Sequence, residues 1–158
     1  MSNPTFIIND LMKLDKEKIS PTGYFRIGFD MISGNYLLET DDTMGNNRYF
    51  VLTQKQYIWF DTQPDKLYEL YIECVKKNNK SNLFYFSNWE RENTEEQNKL
   101  MWKYTYWDLL YGKSASEVHE KMGIPDEIGE DGRSETYIIS AELQIQVLYK
   151  NQKCINVK

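Results

Sequence analysis

Leu143-Gln144-Ile145-Gln146-Val147-Leu148-Tyr149-Lys150-Asn151-Gln152-Lys153-Cys154-Ile155-Asn156-Val157 is the stretch on which the fold turns. Leu143, Ile145, Val147 and Tyr149 alternate with Gln144, Gln146, Leu148 and Lys150, the two-residue period of a strand with one face committed to a core. Lys150-Asn151-Gln152 reads as a tight turn, and Lys153–Val157 returns as a second strand. With Glu135–Ser140 ahead of them, these segments predict three consecutive antiparallel strands. Upstream, Ser114-Ala115-Ser116-Glu117 is a capping box: the serine hydroxyl accepts the N–H three residues on while the glutamate reaches back. The short helix it opens turns Val118 and Met122 inward, stops at Gly123 in a left-handed conformation, and is barred from continuing by Pro125. Asp126–Arg133 is then an acidic, glycine-containing loop.

Further upstream, a longer helix is expected over Glu92–Tyr111. Its stripe of Leu100, Met101, Tyr104, Trp107, Asp108 and Tyr111 is widened by Trp102, Tyr106 and Leu109 or Leu110. That is too apolar for a helix with one wet side, so either both faces pack within the chain or one docks a partner. In the first half, the turn Ser20-Pro21-Thr22-Gly23 follows a lead-in carrying Phe6, Ile7, Ile8, Leu11 and Leu14. Strands are expected at Phe25–Met31, Tyr36–Glu39, Arg48–Thr53 and Gln56–Asp61, with a hairpin turn at Ser33-Gly34-Asn35 and a polar loop over Asp41–Asn47. Thr62-Gln63-Pro64-Asp65 opens a helix with Leu67, Leu70, Tyr71, Cys74 and Val75 on one side. Leu83–Phe86 is a further strand. Strands in runs, segregated from helices, make an α+β fold: antiparallel sheet with two or three helices on one face, ending in a helix–helix–three-strand unit. At 158 residues this is read as a single domain, with a strand-rich half (1–90) packed on a C-terminal unit (91–158).

The composition acts mostly by exclusion. The 12 Tyr, 7 Phe and 4 Trp demand an interior and rule out wholesale disorder. Lys plus Arg number 19 against 24 Asp plus Glu, a formal charge of −5, which repels phosphate backbones and argues against nucleic acid. No window approaches the roughly 18–20 apolar residues of a membrane span, and Met1–Asp10 lacks the pattern of an export signal, so a cytoplasmic protein is expected. Cys74, on the apolar side of a helix, and Cys154, in the last strand, read as small buried hydrophobes, although the sequence leaves open whether they pair.

Catalytic chemistry is sparse. His119 is the lone histidine, so a Ser–His–acid or Cys–His set has to run through it. Three His and Cys residues scattered along the chain do not make a zinc site, and no phosphate-cradling glycine motif is present. No metal or cofactor is expected. Asp41 and Asp42, with Asp30, are candidate carboxylates, and Asp41, Thr43 and Gly45 only faintly resemble a calcium loop. Asp126, Glu127, Glu130 and Asp131 cluster between helix and strand, where complementarity to a basic partner would speed association. Four tryptophans with their neighbouring tyrosines exceed what one small core hides, so some are expected at a binding surface. The candidate contact residues are therefore Asp41, Asp42, Trp89, Trp102, Tyr106, Asp126, Glu127, Glu130 and Asp131.

Asp108-Leu109-Leu110-Tyr111-Gly112-Lys113-Ser114, then Glu117-Val118, then Met122-Gly123-Ile124-Pro125-Asp126, followed by Tyr137 and the strand–turn–strand of Leu143–Val157, resembles the SmpA/BamE-like and β-lactamase-inhibitor-protein-like domains. The resemblance covers about 60 residues; the first 90 match no pattern of that kind, and the lipobox cysteine of secreted members is absent. It implies a helix pair on an antiparallel sheet that acts by binding proteins, and it supplies no catalytic residue. Small size, acidity and aromatic richness then point to a bacterial immunity or inhibitor protein that occludes a basic toxin domain. The alternatives are an exported assembly factor of the outer-membrane lipoprotein type without its signal, and a hydrolase working through carboxylates alone.

Overall fold

The computed structural model describes residues 14–41, 46–77 and 81–158, and the chain divides into two compact units, with the boundary between Met101 and Trp102. The fold is α+β, with two antiparallel sheets and their helices. In the first unit, β1 (Asp15–Ile19), β2 (Phe25–Asp30), β3 (Asn35–Asp41), β4 (Asn47–Leu52) and β5 (Phe84–Ser87) form one sheet in sequence order. Gly23, at φ +76°, makes the β1–β2 turn in a conformation that a side chain would strain. Ile27, Leu38 and Phe50 fall side by side in the register and, with Phe25 and Leu52, meet Tyr57, Leu67 and Cys74 from the helices α1 (Gln54–Thr62) and α2 (Pro64–Lys77). Two ion pairs brace this unit. Arg26 donates in two parallel bonds to Glu39 across β2 and β3 (2.6 and 2.7 Å), and Arg48 on β4 donates likewise to the buried Glu92 (2.8 and 2.5 Å).

Two segments depart from the sequence expectation. The stretch Gln56–Asp61, expected as a strand for its aromatic and β-branched residues, lies within α1. The Thr53 hydroxyl accepts the Gln56 N–H (3.1 Å) and the Gln56 side chain accepts the Thr53 N–H (2.8 Å), a reciprocal cap that starts the helix despite its composition. Packing then holds it: the Tyr57 ring stacks on Tyr36 (4.4 Å between centroids) and its hydroxyl donates to the Lys16 carbonyl (2.7 Å). Thr53→Ala is expected to cost about 1 kcal/mol, read as a lower urea midpoint at unchanged slope. The lead-in also holds β1, whose DKEKI sequence has no apolar alternation because it is the sheet's outer strand, bulged between Asp15 and Lys18. Charged side chains there discourage pairing with other chains.

Helix α3 (Glu95–Leu110) follows a 3-10 turn at Glu90–Glu92 and carries the unit boundary within it. In the second unit, α4 (Ala115–Met122) starts at the expected Ser114–Glu117 box and ends at Gly123, whose φ of +81° with ψ of −160° lies in a glycine-only region outside the left-handed helical one. The acidic segment expected as pure loop contains a two-residue strand, β6 (Glu127–Ile128). It pairs with β7 (Ser134–Ile138) ahead of β8 (Gln144–Lys150) and β9 (Lys153–Val157), so the sheet has four strands. A Cβ at Gly129 in the hairpin would fall 2.2 Å from the Ser134 hydroxyl, which would have to turn aside. Tyr106 and Leu110 of α3 and Val118 of α4 pack on Tyr137, Ile145, Val147, Tyr149, Cys154 and Val157 of the sheet. No disulfide joins the two cysteines; both are buried, Cys74 in the first unit's core and Cys154 in the second's. Among the described residues no helix is long and apolar enough to cross a membrane.

Candidate functional site

The nine expected contact residues part company in the structure. Asp41 ends β3, exposed and opposite Asn47; Asp42 lies outside the described residues, as do Thr43 and Gly45. Trp89 is 42% exposed just after β5, where its backbone N–H donates to the Ser87 hydroxyl (3.0 Å). Trp102 is half-buried against the second unit's core, its ring beside that of Tyr106 (6.3 Å). Tyr106 is 0% exposed, which corrects its place among surface residues: on a helix apolar all round, it took the inward side and became core.

The four acidic residues after α4 do come together, on and around β6. Two have local duties: Asp126 accepts the Ile138 N–H (2.7 Å), and Asp131 accepts the Arg133 N–H (2.9 Å) to close the hairpin. The side chains of Glu127 and Glu130 are exposed, and among the described residues none of the four carboxylates forms an ion pair. Between and beside them stand Ile124, 92% exposed, and Ile128, 66% exposed. Two large aliphatic side chains exposed in an acidic segment are the kind of surface that binding covers.

The same hairpin forms one wall of a cleft of about 810 Å³. Its lining includes Glu135, His119 and Tyr149. Glu135 of β7 is buried and pairs with His119 Nε2 of α4 through one carboxylate oxygen (2.5 Å). Tyr149 of β8 lies beside it, its hydroxyl interacting with the Glu135 carboxylate. Burial first, and the adjacent Glu135 second, hold the Tyr149 phenol far above its ordinary value, so it keeps its proton. Nearby, Tyr137 is pushed up to about 12, by burial first and then by the charges of Glu135 and Asp126.

Sequence reading missed Glu135, although its signal was there: it shares the inward face of β7 with Tyr137, opposite Val147, where an acid stands out among apolar neighbours. His119, read as a surface or partly packed residue, is half-exposed at the cleft's edge. Among the described residues, no serine, threonine or cysteine lines the cleft. The buried Cys154 thiol, outside it, is raised by desolvation and so kept from its reactive thiolate form. Comparison of the chain with protein families, with curated proteins and with solved structures finds no match.

Proposed function

We propose that the chain is a non-catalytic protein-binding module of the immunity or inhibitor type, working in the cytoplasm by covering a basic toxin domain with an acidic surface anchored by apolar side chains. The observation that carries this reading is the β6 hairpin, where Ile124 and Ile128 stand exposed among Asp126, Glu127, Glu130 and Asp131. Exposed apolar anchors in a segment of one charge suit an interface: the anchors give affinity, and the carboxylates steer a cationic partner and speed its encounter. The net charge of −5 acts in the same direction at long range. The resemblance of Asp108–Val157 to the SmpA/BamE-like and inhibitor-protein-like domains, which act by binding, supports it as well.

Capture of partners on the immobilised chain, with growth rescue from a co-encoded toxin, tests the reading. Each isoleucine that becomes buried is worth about 1.5–3 kcal/mol, so the double variant Ile124→Asp/Ile128→Asp is expected to weaken the complex roughly 100-fold or more and abolish rescue, with the melting temperature unchanged. Failure to capture any basic protein, together with no effect on a co-encoded toxin, overturns it.

A further inference from the structure

We propose that the cleft bounded by α4, the β6–β7 hairpin and the β8–β9 turn is a binding site for an organic anion, a carboxylate carried on a small apolar body. The proposal does not rest on the toxin reading. Its basis is which polar groups of the cleft the chain already occupies. Glu135 is the one carboxylate among the described lining residues, and it is engaged from two sides, by His119 Nε2 (2.5 Å) and by the Tyr149 hydroxyl. The donors are not engaged. Arg133 directly precedes β7, where its carbonyl accepts the Tyr149 N–H (2.8 Å), and Lys150, Asn151 and Gln152 form the β8–β9 turn, so strand pairing brings all four to one mouth. Among the described residues the Arg133 and Lys150 side chains form no ion pair, and the side-chain amides of Asn151 and Gln152 form no hydrogen bond.

Two unpaired cations in one concavity, inside a chain of net charge −5, select an acceptor that brings negative charge. A carboxylate suits them: the planar fork of a guanidinium matches its two oxygens, an ammonium adds a point charge, and charge-assisted bonds are the strong ones. The acids of the hairpin stand outside the lining. Glu127 alternates with Ile128 on β6, and because Ile128 shares the cleft face with its partner Glu135, Glu127 belongs to the sheet's other face. Asp131 accepts the Arg133 backbone N–H within the hairpin (2.9 Å), and neither it nor Glu130 lines the cleft. Their charge slows an anion's approach, while contact with Arg133 and Lys150 decides how long it stays. The apolar part of the guest has its own wall, Ile128 at 66% and Ile155 at 45% exposure, with Ala115 between polar neighbours. At about 810 Å³ the cleft exceeds the needs of an inorganic ion and falls within the range of sites for small organic ligands.

The probe is N-acetyl-leucine, which joins a carboxylate to an aliphatic side chain. It is titrated into the full chain and followed by NMR on the backbone amides of Gly132 and Asn151 and on the imidazole of His119, the sequence's one histidine. A saturable shift is expected, and added salt is expected to weaken it because both cations are exposed. N-acetyl-leucine amide, which lacks the charge, and acetate, which lacks the apolar body, are each expected to bind roughly tenfold or more weakly. Arg133→Gln and Lys150→Gln should each weaken binding several-fold, and together abolish saturation, at an unchanged melting temperature. The two ligand controls keep the test independent of any folding defect in the variants. A short peptide with a free C-terminal leucine separates the sources of such a carboxylate: tighter binding than N-acetyl-leucine assigns the site to a protein C-terminus, and equal binding to a free organic acid, both in support. The proposal is overturned if N-acetyl-leucine gives no saturable shift, if its amide or acetate binds as well, or if the double variant binds like the wild type.

Discussion

Tyr106→Ala is expected to lower stability by about 3–5 kcal/mol, whereas Trp89→Ala should lower it distinctly less. Both are aromatic residues that the sequence marks as possible contacts, and the structure separates them. Tyr106 is sealed against Leu110, Val118 and the inner face of the β7–β9 sheet, so truncation leaves a cavity that the surrounding strands cannot collapse into. Trp89 is 42% exposed on its turn, where its backbone donates to Ser87 and accepts from Glu92, bonds that alanine keeps. Thermal unfolding followed by circular dichroism gives the comparison, with a fall of roughly 6–20 °C expected for the tyrosine variant. An unchanged melting temperature for Tyr106→Ala would contradict its place in the core. If Trp89 also meets a partner, its variant loses affinity while keeping most of its stability.

A second large loss is expected from Arg48→Met. Glu92 is buried and receives two bonds from the Arg48 guanidinium; removing that cation strands the carboxylate, at a cost of about 3–5 kcal/mol. The effect belongs to the broken pair rather than to the value of charge as such. Arg48→Met/Glu92→Leu is therefore expected to recover most of the loss, since two apolar groups avoid the desolvation that the ions incur. Urea melts of the two single variants and the double variant form the cycle. Additive losses would show that Arg48 and Glu92 act independently.

Legibility in the sequence followed the strength of local patterns. The β8–β9 hairpin was readable because alternation and turn agree: Asn151 and Gln152 both take positive φ (53° and 64°) between strands whose inward residues are unmistakable. The Ser114 box was readable because an apolar helical pattern follows it. The equivalent Thr53 box was not, since Tyr57, Ile58, Trp59 and Phe60 favour a strand locally and only tertiary packing decides for the helix. Strand β1 escaped because an outer strand of mostly polar residues has no period to detect, and β6 because two residues are too few to show one. For the site, the acidic cluster was visible as composition, and the isoleucines standing among it were not weighed. Glu135 needed the register of β7 before its burial meant anything, and Tyr106 needed the orientation of α3.

The two sulfhydryl groups hold one further consequence. Cys74 and Cys154 sit at 0% and 1% exposure in separate cores, with no disulfide to tie one to the other. An alkylating reagent in native buffer therefore reaches each only when its own unit breathes open. The chain thus carries two built-in clocks, and mass spectrometry of the tagged peptides would time the opening of each half without any engineered label.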